Sequence, residues 1–209
     1  LAIRNMNFLL KKFSVGGKNE FCHTWKKGKG KFPAFIDDYA FMIRALIHLQ
    51  MITGTNDWLI RAKELAEFVI QNFSEEGTGF FFYTKKDQAD VIVRKKEVYD
   101  GAVPSGNSMM AYNLYHLAIL FEKDEWRQRS FNMIASLGKA IVNHPVSFGL
   151  WACIFQELIA GTDEIVITGK NSSFQQSQLL KYYIPHCIII SSGITDQAFP
   201  LLANKPVTD

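Results

Sequence analysis

Three carboxylates stand beside turns in this chain: Asp37 and Asp38 in the run Phe35-Ile36-Asp37-Asp38-Tyr39, and Asp100 in the run Tyr99-Asp100-Gly101-Ala102-Val103-Pro104-Ser105-Gly106-Asn107-Ser108. Glycoside chemistry uses paired carboxylates, one a protonated acid and the other a base or nucleophile, with their pKa values pushed apart by their surroundings. Asp37, Asp38 and Asp100 are therefore the candidate catalytic residues. Ser105, Asn107 and Ser108 offer hydroxyl and amide groups to a polyol, and Tyr39 and Tyr99 offer ring faces for stacking on a sugar. Arg94 and Glu97 lie just before the turn, where the cation can bind a sugar carboxylate or pair with Asp100. All these residue types also serve structure. Asp, Ser and Asn cap helices, and consecutive helical residues point roughly 100° apart, so at most one of Asp37 and Asp38 faces a cavity squarely.

The elements that must position these groups are mostly helical. Gly101 permits a tight turn, and Pro104 suits the first position of a helix, so a helix is expected from about Pro104 to Phe121. Its first turn then presents free N–H groups and the positive end of the helix dipole. A second mostly apolar helix is expected over Phe35 to Ile52, interrupted by Asp37, Asp38, Arg44, His48 and Gln50 and stopped by Gly54. Each is followed by an amphipathic one, Asp57 to Phe73 and Glu125 to Asn143, the latter with Asp124 as a possible cap. A repeat supports the alternation: His48-Leu49 precedes Trp58 at the same spacing as His116-Leu117 precedes Trp126. Buried helices alternating with half-exposed ones are the demand of an α/α toroid, since inner helices touch neighbours on every side. About three helical hairpins are visible where a closed ring has six.

Around this layer, Ala2 to Phe13 reads as a helix that starts without a cap, which marks the chain as a fragment. Phe21 to Phe35 reads as a short hairpin, and Gly77 to Thr84 with Val91 to Arg94 as a second β-hairpin. Phe148 to Ile159 reads as a further apolar helix. The tail, Glu164 to Thr168, Ser172 to Tyr183 and Cys187 to Ser191, reads as a strand, a helix that Asn171 can cap, and a strand: a small βαβ unit. The fold class is thus mainly α, a partial toroid of helical hairpins over residues 1–162 with a β-hairpin insertion and an α/β appendage over 163–209.

Composition removes several function classes. The formal net charge of +3 over 209 residues is too small and dispersed for nucleic acid. Cys22, Cys153 and Cys187 have no CxxC spacing, and His23, His144 and His186 no ligand spacing, so neither disulfides nor a metal is expected, nor a cofactor. Reduced thiols and the lack of a leader point to the cytoplasm, and no apolar run is long enough for a membrane span. An epimerase would need a base on each face of a sugar. His48 and His116 lie about 16 Å along their helices from the acidic turns, too far to share one small substrate with them, and are expected in the core or at the opposite rim.

The runs Phe35-Ile36-Asp37-Asp38-Tyr39-Ala40-Phe41, Gly79-Phe80-Phe81-Phe82 and Arg94 through Ser108 resemble the thioredoxin-domain-containing family that includes spermatogenesis-associated protein 20. That resemblance covers nearly the whole chain. It implies a thioredoxin-like domain followed by a six-hairpin toroid similar to N-acylglucosamine 2-epimerases and six-hairpin glycosidases, of which this chain would be the C-terminal part. It implies as partners a small-molecule sugar and either the missing N-terminal part of the toroid or a second copy of the chain. The thioredoxin cysteine pair is absent here, so redox activity does not carry over, and a sugar-active role rests on fold-level analogy. The alternative is a non-catalytic scaffold in which the same polar residues tie helix ends together.

Overall fold

The computed structural model describes residues 1–88, 91–203, 205 and 206. Among these residues seven α-helices dominate: α1 (Ala2–Lys12), α2 (Ile36–Thr53), α3 (Asp57–Phe73), α4 (Gly106–Phe121), α5 (Asp124–Asn143), α6 (Gly149–Ala160) and α7 (Ser172–Leu179). Two small sheets accompany them, β1 (Cys22–Lys26) with β2 (Lys29–Pro33), and β3 (Asp163–Thr168) with β4 (Cys187–Ser192). Among the described residues no helix is long and apolar enough to cross a membrane.

Two helical hairpins form the body, α2 against α3 and α4 against α5, and α2 and α4 also pack on each other. The apolar α4 is enclosed almost throughout; of its residues only Tyr112 is not fully buried. The amphipathic α3 and α5 bury one stripe each, Leu59, Ala62, Leu65, Ala66, Val69 and Phe73 in the first, Trp126, Ser130, Met133, Ile134 and Ile141 in the second. A helix apolar on all sides must be enclosed, and an amphipathic one can close only one side of a core, so pattern and placement agree. The expected third hairpin is not completed: α6 runs into β3.

Helix ends show where local chemistry overrode expectation. α4 starts at Gly106 rather than Pro104, because Ser105 takes the extended backbone of a cap and its Oγ accepts the Ser108 N–H at 3.1 Å. Asp124 lies inside the first turn of α5 instead of capping it, and α6 begins after a 3-10 turn at Pro145–Ser147. Asn171 makes no side-chain cap bond, and α7 ends at Leu179, before Tyr182 and Tyr183, which are exposed and have no core to join. Gly54 closes α2 in the left-handed region, at φ +69°.

The hairpin expected at 21–35 forms, closed by Lys27-Gly28 with both φ values positive, the geometry of a tight type I′ turn. The second does not. Among the described residues of 74–105 there is one bridge, Ser74 to Phe81, and no strand; Ala89 and Asp90 of its loop lie outside the described residues. Ile92 and Val93 are open to solvent, so the outer strand would have had no face to bury. The tail is the expected βαβ unit, with β3 and β4 parallel from Asp163 opposite Cys187 to Thr168 opposite Ser192. It is clasped to the helices. Gln176 Nε2 donates to the Met51 carbonyl at 2.6 Å at the end of α2, Asn56 Nδ2 donates to the Ser191 carbonyl, and Phe199 lies against Phe121 with ring centres 5.2 Å apart.

Candidate functional site

The starts of α2, α4 and α6 meet at one end of the molecule. A Cβ added to Gly106 would sit 2.7 Å from Ile36 Cγ2 and 3.1 Å from the Asp37 nitrogen, so glycine is what lets the first turns of α4 and α2 touch. Asp100 ties α4 to α6. Its Oδ1 accepts the Ser105 N–H at 2.9 Å and the Ser108 hydroxyl at 2.6 Å, and its Oδ2 accepts the Leu150 N–H at 2.8 Å. A carboxylate on the free N–H groups of two helix starts meets both their unpaired donors and the positive ends of their dipoles.

Asn107 is occupied just as fully. Its Oδ1 accepts the Phe81 N–H at 2.8 Å, and its Nδ2 donates to the Phe81 carbonyl at 3.0 Å and the Glu97 carbonyl at 2.8 Å. The side-chain amide thus pairs with Phe81 as a neighbouring strand would, which stands in for the missing hairpin partner. Ser105, Asn107, Ser108 and Asp100 are all buried.

Asp37 and Asp38 are placed differently, half-buried at the rim. Asp38 accepts the Phe35 N–H at 2.8 Å, and its Oδ2 lies 2.8 Å from His23 Nδ1, which reaches it from β1. Burial raises the Asp37 carboxyl above the usual carboxylate range; the N–H of Gly106 opposes this, and neighbouring Asp38 and Glu97 add to it. Phe35 stacks on Tyr83 with centroids 4.8 Å apart and lies beside the His23 ring at 5.0 Å, forming an aromatic edge to this acidic rim.

The remaining expected residues scatter. Glu97 is exposed beside the rim, its carboxylate taking the Tyr99 N–H at 3.0 Å. Tyr99 is 61% exposed and leans on Phe148. Arg94 does not pair with Asp100: its guanidinium donates to the Thr84 carbonyl at 2.7 Å and lies over the Phe82 ring. Tyr39 is buried in the core, its hydroxyl donating to the Asn19 carbonyl and accepting the Phe21 N–H; burial pushes it up to about 12.

A second polar cluster was not anticipated from the sequence. Arg44 stacks on Tyr112 at 3.9 Å and approaches His116 Nδ1 at 3.1 Å, while His116 Nε2 lies 2.8 Å from Glu157 Oε1. Burial lowers His116, so the imidazole is neutral, accepts at Nδ1 from Arg44 and donates at Nε2 to Glu157. Burial by itself would raise Glu157, but the bonds from His116 and Thr162 hold it down at about 2. The signal was a charge in the middle of each of two apolar helices, Arg44 in α2 and Glu157 in α6. His48, its counterpart in the repeat, is exposed in a shallow groove against α1.

Sequence comparison finds relatives in animals. An uncharacterised protein of Caenorhabditis elegans is 31% identical over 148 residues, 71% of this chain. Spermatogenesis-associated protein 20 of Rattus norvegicus is 27% identical over 180 residues, 81% of this chain, and that of Homo sapiens 26% over 161 residues, 75% of this chain. The chain is a homologue of spermatogenesis-associated protein 20. It matches only 20% of the length of the worm and human relatives and 23% of the rat one. No protein-family model matches it.

Proposed function

We propose that this chain forms one wall of a carbohydrate-binding pocket in an α/α toroid similar to those of N-acylglucosamine 2-epimerases and six-hairpin glycosidases, with Asp37 facing the pocket as its acid and Asp38, turned to His23 and the Phe35 N–H, as the partner carboxylate at its edge. The observation that carries the reading is the contrast between two adjacent carboxylates. Asp37 is pushed toward the protonated form by burial, while Asp38 is engaged by His23 and a backbone N–H. Two carboxylates in unlike surroundings are the arrangement that lets one act as acid and the other as base. In this reading Asp100, Ser105, Asn107 and Ser108 hold the rim in place and Glu97 and Tyr99 border it. The pocket's other walls, and a thioredoxin-like domain, would come from chain beyond these residues or from a second copy.

A scaffold role is the second reading, and the internal bonding of Asp100 and Asn107 favours it, since saturated groups have nothing to offer a sugar. The test is binding and turnover of a panel of aldoses, N-acylhexosamines and aryl glycosides by the full-length protein, as wild type and as Asp37→Asn. Binding or turnover in wild type that falls at least a hundredfold in the variant, with melting unchanged, supports the enzyme reading. A folded wild type that neither binds nor turns over any member of the panel overturns it in favour of the scaffold.

A further inference from the structure

A cavity of about 490 Å³ lies between the β1–β2 hairpin and the segment 85–88, and none of the proposed acid–base residues lines it. That volume is in the range of small-molecule sites, whose walls are mainly apolar with a few polar groups that fix orientation. Here Phe21, Tyr39 and Ala34 are buried beneath the cavity, Phe32 stands at its edge, and Lys31, Lys85 and Lys86 border it.

Two features mark this cavity as a site. The first is charge. Its lining carries three lysines against Glu20 and Asp87, an excess of one positive charge; Glu20 is already paired with Lys85. Among the described residues neither Lys31 nor Lys86 has a carboxylate partner. The second is backbone. Phe32 and Asp87 both hold φ at +58°, a left-handed conformation costly for an aromatic residue. Lys27 has its positive φ from the tight turn and Glu122 from a helix end, whereas Phe32 sits inside β2, 63% exposed, with neither reason. The kink makes Gly30 through Ala34 border the cavity consecutively, where a regular strand would turn alternate residues away.

We propose that this cavity binds a small anion with a flat apolar body, such as an aromatic carboxylate, sulfonate or phosphate ester, its ring against Phe32 and its charge toward Lys31 and Lys86. The site is separate from the acidic rim: along β1, Cys22 borders the cavity and its neighbour His23 meets Asp38 on the other face. Binding here is therefore independent of any action of the chain on sugars.

The experiment is calorimetric titration of the whole chain with 8-anilinonaphthalene-1-sulfonate. Saturable 1:1 binding is expected. It should weaken at least tenfold in Lys31→Glu/Lys86→Glu and stay within twofold in Lys139→Glu, a charge reversal on the exposed side of α5, and the uncharged N-phenyl-1-naphthylamine should bind wild type at least tenfold less tightly. If charge reversal unfolds the hairpin, Lys31→Gln/Lys86→Gln replaces it, with a threefold weakening expected. No saturable binding, equal affinity in the lysine variants, or equally tight binding of the uncharged probe would each overturn the proposal.

Discussion

Replacing Asp100 with alanine should uncouple the starts of α4 and α6. The carboxylate takes three close donors: the Ser105 N–H, the Ser108 hydroxyl and the Leu150 N–H. The Ser108 hydroxyl retains the Ser105 carbonyl at 2.9 Å and is not stranded. A buried amide at the start of α4 and a half-buried one at the start of α6 are left without that acceptor. Hydrogen bonds to a charged group contribute roughly 1.5–3 kcal/mol each, so Asp100→Ala should cost about 3–6 kcal/mol. In a domain whose whole stability is about 5–15 kcal/mol this is a large share. At about 2–4 °C per kcal/mol for a chain of this size, the melting temperature should fall by roughly 6–24 °C. Urea unfolding followed by circular dichroism, with calorimetry for the melting temperature, measures both. Asp100→Asn keeps one acceptor oxygen but turns an NH2 toward a donor, so it should fall between wild type and alanine. An Asp100→Ala protein melting within about 1 °C of wild type would refute the joint and return Asp100 to the list of groups free to meet a ligand.

Gly106→Ala should destabilise the chain by about 1–3 kcal/mol, because its Cβ would press on Ile36 and Asp37, and should move the Asp37 carboxyl; urea midpoints together with the Asp37 titration read by NMR check both. Acidification should destabilise the fold in two stages: the unfolded chain takes up the His116 proton below its ordinary pKa of about 6.5, and then the Glu157 proton as pH falls from about 4.5 toward the folded value of about 2. Stability measured from pH 7 to 3 should therefore decline, and His116→Gln should flatten the first stage; a profile level between pH 7 and 5 would refute the neutral-imidazole assignment.

The alternation of enclosed and half-wetted helices was legible because it is written in local periodicity, as was the hairpin around Lys27-Gly28. That the starts of α2 and α4 lie together was expected from that alternation, which sets inner helices side by side; the contact of Gly106 with Asp37 was not. What escaped depends on partners far apart in the chain. Asn107 pairs with Phe81, 26 residues away, and nothing in the run Gly79-Phe80-Phe81-Phe82 indicates that its backbone is satisfied by a side chain instead of a strand. Arg44 and His116 are 72 residues apart and His116 and Glu157 41, so each charge looked isolated within its own helix. Arg94 was placed near Asp100 by sequence proximity, but its guanidinium follows the carbonyls of Thr84 and Asn72 instead.

The clasp at Gln176 bears on the order in which the chain is made. The last turn of α2 leaves carbonyls that need donors, and the Met51 carbonyl obtains one from a residue 125 positions downstream. A ribosome that has released both helical hairpins has not yet supplied that donor. Until the tail emerges, the end of α2 must make do with water, and the first hairpin reaches its finished form only after the segment carrying Gln176 has been made.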